Sequence, residues 1–137
     1  MAIHHETAIR GILEAWAAAV RVDDMKAILQ RHDPNIRMFN VPEPTELRGT
    51  DAYRRALQLY LDNAPRPVPY RLHDIEVVAG NDVAFAHGLI ACNGSKKYEQ
   101  PSELTVRLTV CLERRGDEWV IVHEHHSTPI KLSSAGA

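Results

Sequence analysis

The sequence predicts an α+β fold in which three N-terminal helices pack on one face of a strongly curved, mostly antiparallel sheet. Two observations predict it. Helical periodicity is concentrated in the first half of the chain, whereas from Tyr70 onward apolar and polar residues alternate with period two. The later segments are joined mostly by short Gly, Asn and Asp turns, which suit antiparallel neighbours and leave no room for crossover helices.

Residues 6–22 carry Ile9, Ile12, Leu13, Trp16, Ala17 and Val20 at helical spacing, an apolar stripe that must lie on something flat. Asp23 is placed to cap a second short helix over 24–31, with Met25, Ile28 and Leu29 inward. Pro34 disfavours helix at Asp33 and ends it. A strand over 36–41 follows, with Ile36, Met38 and Asn40 on one face, and Pro42 and Pro44 stop it. Thr50 and Asp51 cap a third helix running to Asn63, whose stripe is Tyr53, Ala56, Leu57, Tyr60 and Leu61. The proline-rich tract 64–70 is a connection to the sheet.

The sheet then builds strand by strand. Residues 71–79 form one strand, Gly80, Asn81 and Asp82 a turn, and the next strand splits by size. Ala84, Ala86, Gly88, Ile90 and Cys92 face one side, leaving room for a helix or a ligand; Val83, Phe85, His87, Leu89 and Ala91 face the other. Residues 93–101 are a polar loop, where Lys96 and Lys97 are available to an anion but suit a plain surface loop better. The last hairpin, 103–129, organises the site. Its first strand alternates Leu104, Val106, Leu108, Val110 and Leu112 with polar residues, and its second opens with Trp119 to Val122 before turning abruptly polar at His123, Glu124, His125, His126 and Ser127. A strand that changes in this way leaves the core for a polar pocket or an interface. His123 and His125 share one face, Glu124 and His126 the other, so the pocket receives a histidine in either register.

Composition bounds the function. A chain of 137 residues, 45% hydrophobic and 25% charged, is expected to form a single globular domain over 1–137. The net charge of −2 with interspersed signs offers no basic stripe for nucleic acid and no polybasic membrane patch. No apolar run reaches the roughly 18 residues of a membrane span, and the first residues lack a secretory pattern, so a cytoplasmic location with Cys92 and Cys111 as buried thiols is expected, a disulfide between them being the alternative. His4 and His5 are expected at a solvated end, and Arg54, Arg55, Arg114 and Arg115 on solvated surface.

The helix order, the MFNVP strand, the GNDVAFAHG hairpin and above all RLTVCLERRGDEWVIVHEHHSTP resemble the ketosteroid-isomerase-like or polyketide-cyclase-like (SnoaL-like) branch of the nuclear transport factor two superfamily. The terminal hairpin also resembles the association domain of calcium/calmodulin-dependent kinases. The resemblance implies a cone-shaped α+β barrel with a pocket between the first and third helices and the concave sheet face. Trp16, Tyr53 and Tyr60 would line it from the helices, and Ile90, Val110, Glu124 and His126 from the sheet, beside Met38. A two-residue turn at Gly116 and Asp117 would instead pair Val110 with His123 and turn His123 and His125 inward.

Ketosteroid isomerases shuttle a proton with an aspartate, and the matching position here is Asn40, which cannot take a proton. The resemblance therefore leaves His126 as the candidate base, Glu124 too far around the strand to help it, with Asp33 as an alternative carboxylate and Asn40, Tyr53 or Tyr60 as stabilisers of an enolate. The functions it implies are a cofactor-free isomerase or cyclase acting on a small hydrophobic carbonyl compound, or a non-catalytic ligand-binding or assembly module. His123 and His125 can share a metal with His87 or His73 as a third ligand, but no carboxylate is clearly placed, so the expectation is no metal and a polar network with Arg107 and Thr109. Phe85, Leu89, Trp119 and Ile121 on the far face suggest a homodimer.

Overall fold

A computed structural model of the chain describes residues 2–94 and 100–132. Helix α1 (Ala2–Arg21) is followed by α2 (Met25–Leu29), β1 (His32–Phe39), β2 (Leu47–Arg48), α3 (Gly49–Asn63), β3 (Arg71–Ala79), β4 (Val83–Cys92), β5 (Leu104–Arg115) and β6 (Glu118–Ser127). The strands form one sheet in the order β2-β1-β6-β5-β4-β3, antiparallel except where β1 runs parallel to β6. This is the α+β class, with helices against one face of a curled sheet. Lys96, Lys97 and the tail from residue 133 lie outside the described residues.

Local chemistry explains the boundaries. Helix α1 starts earlier than its apolar stripe and ends in a paired cap: Asp23 N–H donates to Val20 O and Asp24 N–H to Ala19 O, with Asp23 at φ 57°. That left-handed turn is tolerated by aspartate. Asp24, not Asp23, caps α2, its carboxylate accepting from Ala27 N–H at 3.1 Å. Helix α3 begins at Gly49 with no side-chain cap, so Thr50 and Asp51 lie inside it.

The segment expected to end the second helix instead opens β1. His32 pairs with Ile121, and the register slips between His32 and Arg37, where Pro34 has no N–H to contribute. Asp33 accepts from Asn35 N–H at 2.7 Å and from Arg115, so it anchors the start of β1 and Arg115 is not merely solvated.

Two further irregularities curl the sheet. On β3, Asp74 takes φ 54° and the pairing with β4 shifts between His73 and Glu76. Gly88 faces that bulge: a Cβ there would lie 2.9 Å from the carbonyl oxygens of His73 and Asp74. On β6, Leu112 pairs with Ile121 but Cys111 pairs with His123, leaving Val122 as an extra residue. The turn does span two residues, Arg115 opposite Glu118. The bulge nevertheless reverses the parity beyond it. Trp119 and Ile121 point into the core before Val122, whereas Glu124 is buried after it and His123 and His125 turn outward.

The core follows. Val106, Leu108, Val110 and Leu112 of β5 and Ala84, Ala86 and Ile90 of β4 meet Ile9, Leu13, Trp16 and Val20 of α1 and Tyr53 and Leu61 of α3. The small residues of β4 thus face the helices. Trp119 and Ile121, expected on the far face, are buried here, and the Trp119 indole donates to His5 at 3.3 Å, which takes His5 out of the solvated end. Cys92 and Cys111 are free thiols on different registers of the sheet.

Candidate functional site

A cavity of about 680 Å³ opens between α3, the end of β1 and the inner faces of β4, β5 and β6. Met38, Tyr53, Leu57, Ile90 and Val106 make its wall largely apolar, while Asn40, Tyr60, Tyr70, Asn93 and His126 supply polar atoms. Helix α1 does not line it. Trp16 lies deeper, its ring centroid 6.2 Å from that of His126, and borders a separate cavity of about 300 Å³ beside α2.

The chemistry gathers around Glu124, whose side chain is 0% exposed. Glu124 Oε1 meets His126 Nε2 at 2.9 Å, and Oε2 meets His32 Nε2 and accepts from the Tyr53 hydroxyl at 2.9 Å. Desolvation on its own would push the carboxyl up, since a buried charge is costly. The hydrogen bonds from His126 and His32, with the charges of those imidazoles, outweigh it and hold the carboxyl below the ordinary 4.5, at about 2. An ionised carboxylate only accepts, so both imidazoles carry hydrogen on Nε2 and leave Nδ1 as the remaining nitrogen. In His126 that nitrogen belongs to a residue of the cavity wall; in His32 it is buried without a hydrogen-bond partner. Trp16 Nε1–H is also buried, next to the Tyr53 hydroxyl.

Tyr53 spends its hydroxyl proton on Glu124, so it positions the carboxylate and has no proton left for an enolate. Tyr60 donates to Asn93 Oδ1 at 2.7 Å. Burial first, and then the Glu124 charge, push the phenols of Tyr53 and Tyr70 well above their usual value, so both stay protonated. Burial also lifts the Cys92 thiol to about 11, which removes it as a nucleophile.

Several expected site residues therefore move. Val110 and Glu124 are completely buried behind the cavity wall instead of forming it. Glu124 reaches His126 directly, because i and i+2 on a strand share a face. His123 and His125 are not cavity residues: they flank Phe39 on the outer face, with centroids 4.8 and 5.3 Å from its ring, and His123 Nδ1 lies 2.6 Å from Arg37 O. Their expected partner Arg107 instead donates to Ser127 at 3.0 Å. Asp33 does not line the cavity. Among the described residues no group of three or more His, Cys, Asp or Glu could hold a metal ion. His32 was not legible as a site residue, since it lies 92 positions from Glu124 and its neighbours read as a helix stop.

This curled sheet and apolar cavity define an NTF2-like protein. The chain belongs to the SnoaL-like domain family, whose model matches residues 9–131. It is similar to an NTF2-like protein of unknown function from Pseudomonas putida KT2440, with 28% identity, a TM-score of 0.85, and 98% of this chain and 93% of that one covered. A candidate dehydratase of the NTF2-like family from Streptomyces avermitilis shares the fold at 16% identity, TM-score 0.71, covering 96% of this chain and 100% of that one. A candidate calcium/calmodulin-dependent protein kinase II association domain from Xanthomonas campestris shares it at 15% identity, TM-score 0.72, covering 90% and 87%. No match was found among the curated proteins.

Proposed function

We propose that the chain binds a small hydrophobic carbonyl compound and moves a proton on it without a cofactor, as an isomerase, cyclase or lyase. One observation supports this above others: His126 stands on the wall of an apolar cavity with Nε2 tied to a buried, ionised Glu124. The carboxylate orients the ring and stabilises the imidazolium that forms when Nδ1 takes a proton from the carbon next to the carbonyl. The electron pair moves onto the carbonyl oxygen, where Asn40 and Tyr70 are the nearby donors of the wall, and the proton returns to another carbon. Asn40 thus serves as a donor, having no basic atom. Substrate contacts in this reading come from Met38, Tyr60 and Ile90, with Tyr53 fixing the carboxylate behind them.

The second reading, a non-catalytic ligand-binding or assembly module, is favoured by Asn40 standing where the family's proton-shuttling aspartate is expected and by the fold shared with an association domain. A thermal-shift screen of hydrophobic ketones and acids, followed by proton NMR of each ligand that binds, separates the two. Conversion of the ligand that disappears in His126→Ala supports the first; stable binding with an unchanged ligand supports the second.

We also infer a homodimer formed through the outer sheet face, where Val78, Val83 and Phe85 are 51%, 63% and 44% exposed. Two free cysteines fit a reducing compartment such as the cytoplasm.

A further inference from the structure

The cavity has a second polar end that the proton-transfer chemistry does not use. On β5, Leu104 pairs with Cys92, the residue before Asn93, and Leu108 pairs with His126. The two ends are therefore offset by four residues along the strand, about 13 Å at the usual rise. Aromatic rings connect them: His126 meets Trp16 at 6.2 Å, Trp16 meets Tyr70 at 5.6 Å, and Tyr70 meets Tyr60 at 6.1 Å between centroids. At the far end the Tyr60 hydroxyl donates to Asn93 Oδ1 at 2.7 Å, and Asn93 Nδ2 donates to Gly94 O at 3.3 Å.

We propose that Tyr60 and Asn93 form a recognition subsite for a hydroxyl group at the far end of the ligand from its carbonyl. This rests on the reading of the cavity as a ligand site. Tyr60 has given its one O–H to Asn93 and its oxygen is also met by the Asn93 backbone and the Cys92 thiol, so the open acceptor of the pair is the second position on Asn93 Oδ1. Burial pushes the Tyr60 phenol up, which keeps that donor–acceptor pattern at all ordinary pH. A pocket end that presents acceptors is complementary to a donor. An anionic group is disfavoured, because no Lys or Arg lines the cavity among the described residues and the Glu124 charge lies close by. The wall between the two ends is apolar, with Ile90, Val106 and Leu57. The ligand class is a neutral, elongated, flat or aliphatic molecule with a carbonyl at one pole and a hydroxyl at the other.

Three probes test it on the full chain by calorimetry or fluorescence: an acetonaphthone bearing a hydroxyl on the ring far from the ketone, the unsubstituted parent, and the methyl ether. The hydroxylated probe is expected to bind about tenfold more tightly than the parent, the difference one buried hydrogen bond makes. The ether, which cannot donate, should gain nothing, and Asn93→Leu, which removes the acceptor and leaves the Tyr60 O–H as a donor, should erase the difference between hydroxyl and ether. Equal binding of all three to the unaltered protein, or a preference for hydroxyl over ether that survives in Asn93→Leu, overturns the subsite and leaves the cavity reading standing. If none binds, both fall. The ether comparison needs no variant, so the inference is tested even where Asn93→Leu does not fold.

Discussion

Glu124 and His126, two positions apart on β6, share one hydrogen bond of 2.9 Å and belong to different environments: the carboxylate is sealed in the core and the imidazole borders the cavity. The pair joins the packed interior of the sheet to the polar part of the cavity wall. A charge that no water reaches is retained only because His32, His126 and Tyr53 occupy its oxygens.

Replacing Glu124 with glutamine keeps the shape but presents an N–H to partners that are themselves donors. Loss of about 3–5 kcal/mol in urea unfolding is expected, the cost of breaking a buried charged cluster. A loss below about 1 kcal/mol would show that the cluster is not a structural keystone.

The same carboxylate sets an acid limit. Its folded value, about 2, lies below the ordinary 4.5, so the native state holds its proton less tightly than the unfolded chain. The resulting stability is present above the unfolded value and is lost as pH falls from there through the folded value. Melting temperature should therefore drop between roughly pH 5 and pH 2, and the drop should be shallower in Glu124→Gln when both proteins are followed by circular dichroism.

Val122 is the residue that the β6 ladder leaves unpaired, and its bulge lets both Ile121 and Glu124 face inward. Deleting it joins Ile121 directly to His123 and leaves a regular ladder, with Cys111 still opposite His123 and with Glu124 and His126 still turned inward. The expected result is a protein that still melts cooperatively, and a loss of cooperative melting would show that the sheet requires the bulge itself and not only the register beyond it.

Gly88 tests the curl of the sheet. Any side chain meets the His73 and Asp74 carbonyls and the Ile75 side chain, so Gly88→Val should destabilise by about 1–3 kcal/mol in urea. Unchanged stability would mean that the β3 bulge can relax away.

Phe85 lies on the outer face proposed as the subunit contact, with Val83 two residues earlier on the same face of β4. Phe85→Glu should convert a dimer to a monomer in light scattering at micromolar concentration, with little change in the far-ultraviolet spectrum. A wild-type protein that is already monomeric removes the dimer reading.

The sequence by itself determined the class of the fold, the apolar faces of α1, α3 and β5, and the concentration of ionisable groups at the end of β6. Those features are written in periodicity, which depends only on the geometry of helix and strand. Tertiary structure alone decided that Val122 bulges, that Trp119 and Ile121 face inward while His123 and His125 face outward, and that His32 meets Glu124. The reason is physical: a one-residue slip inverts every later side chain, and its sign is set by how buried surface is best filled across the six strands and three helices described, as is the choice of a partner 92 residues away for a carboxylate that cannot be buried alone.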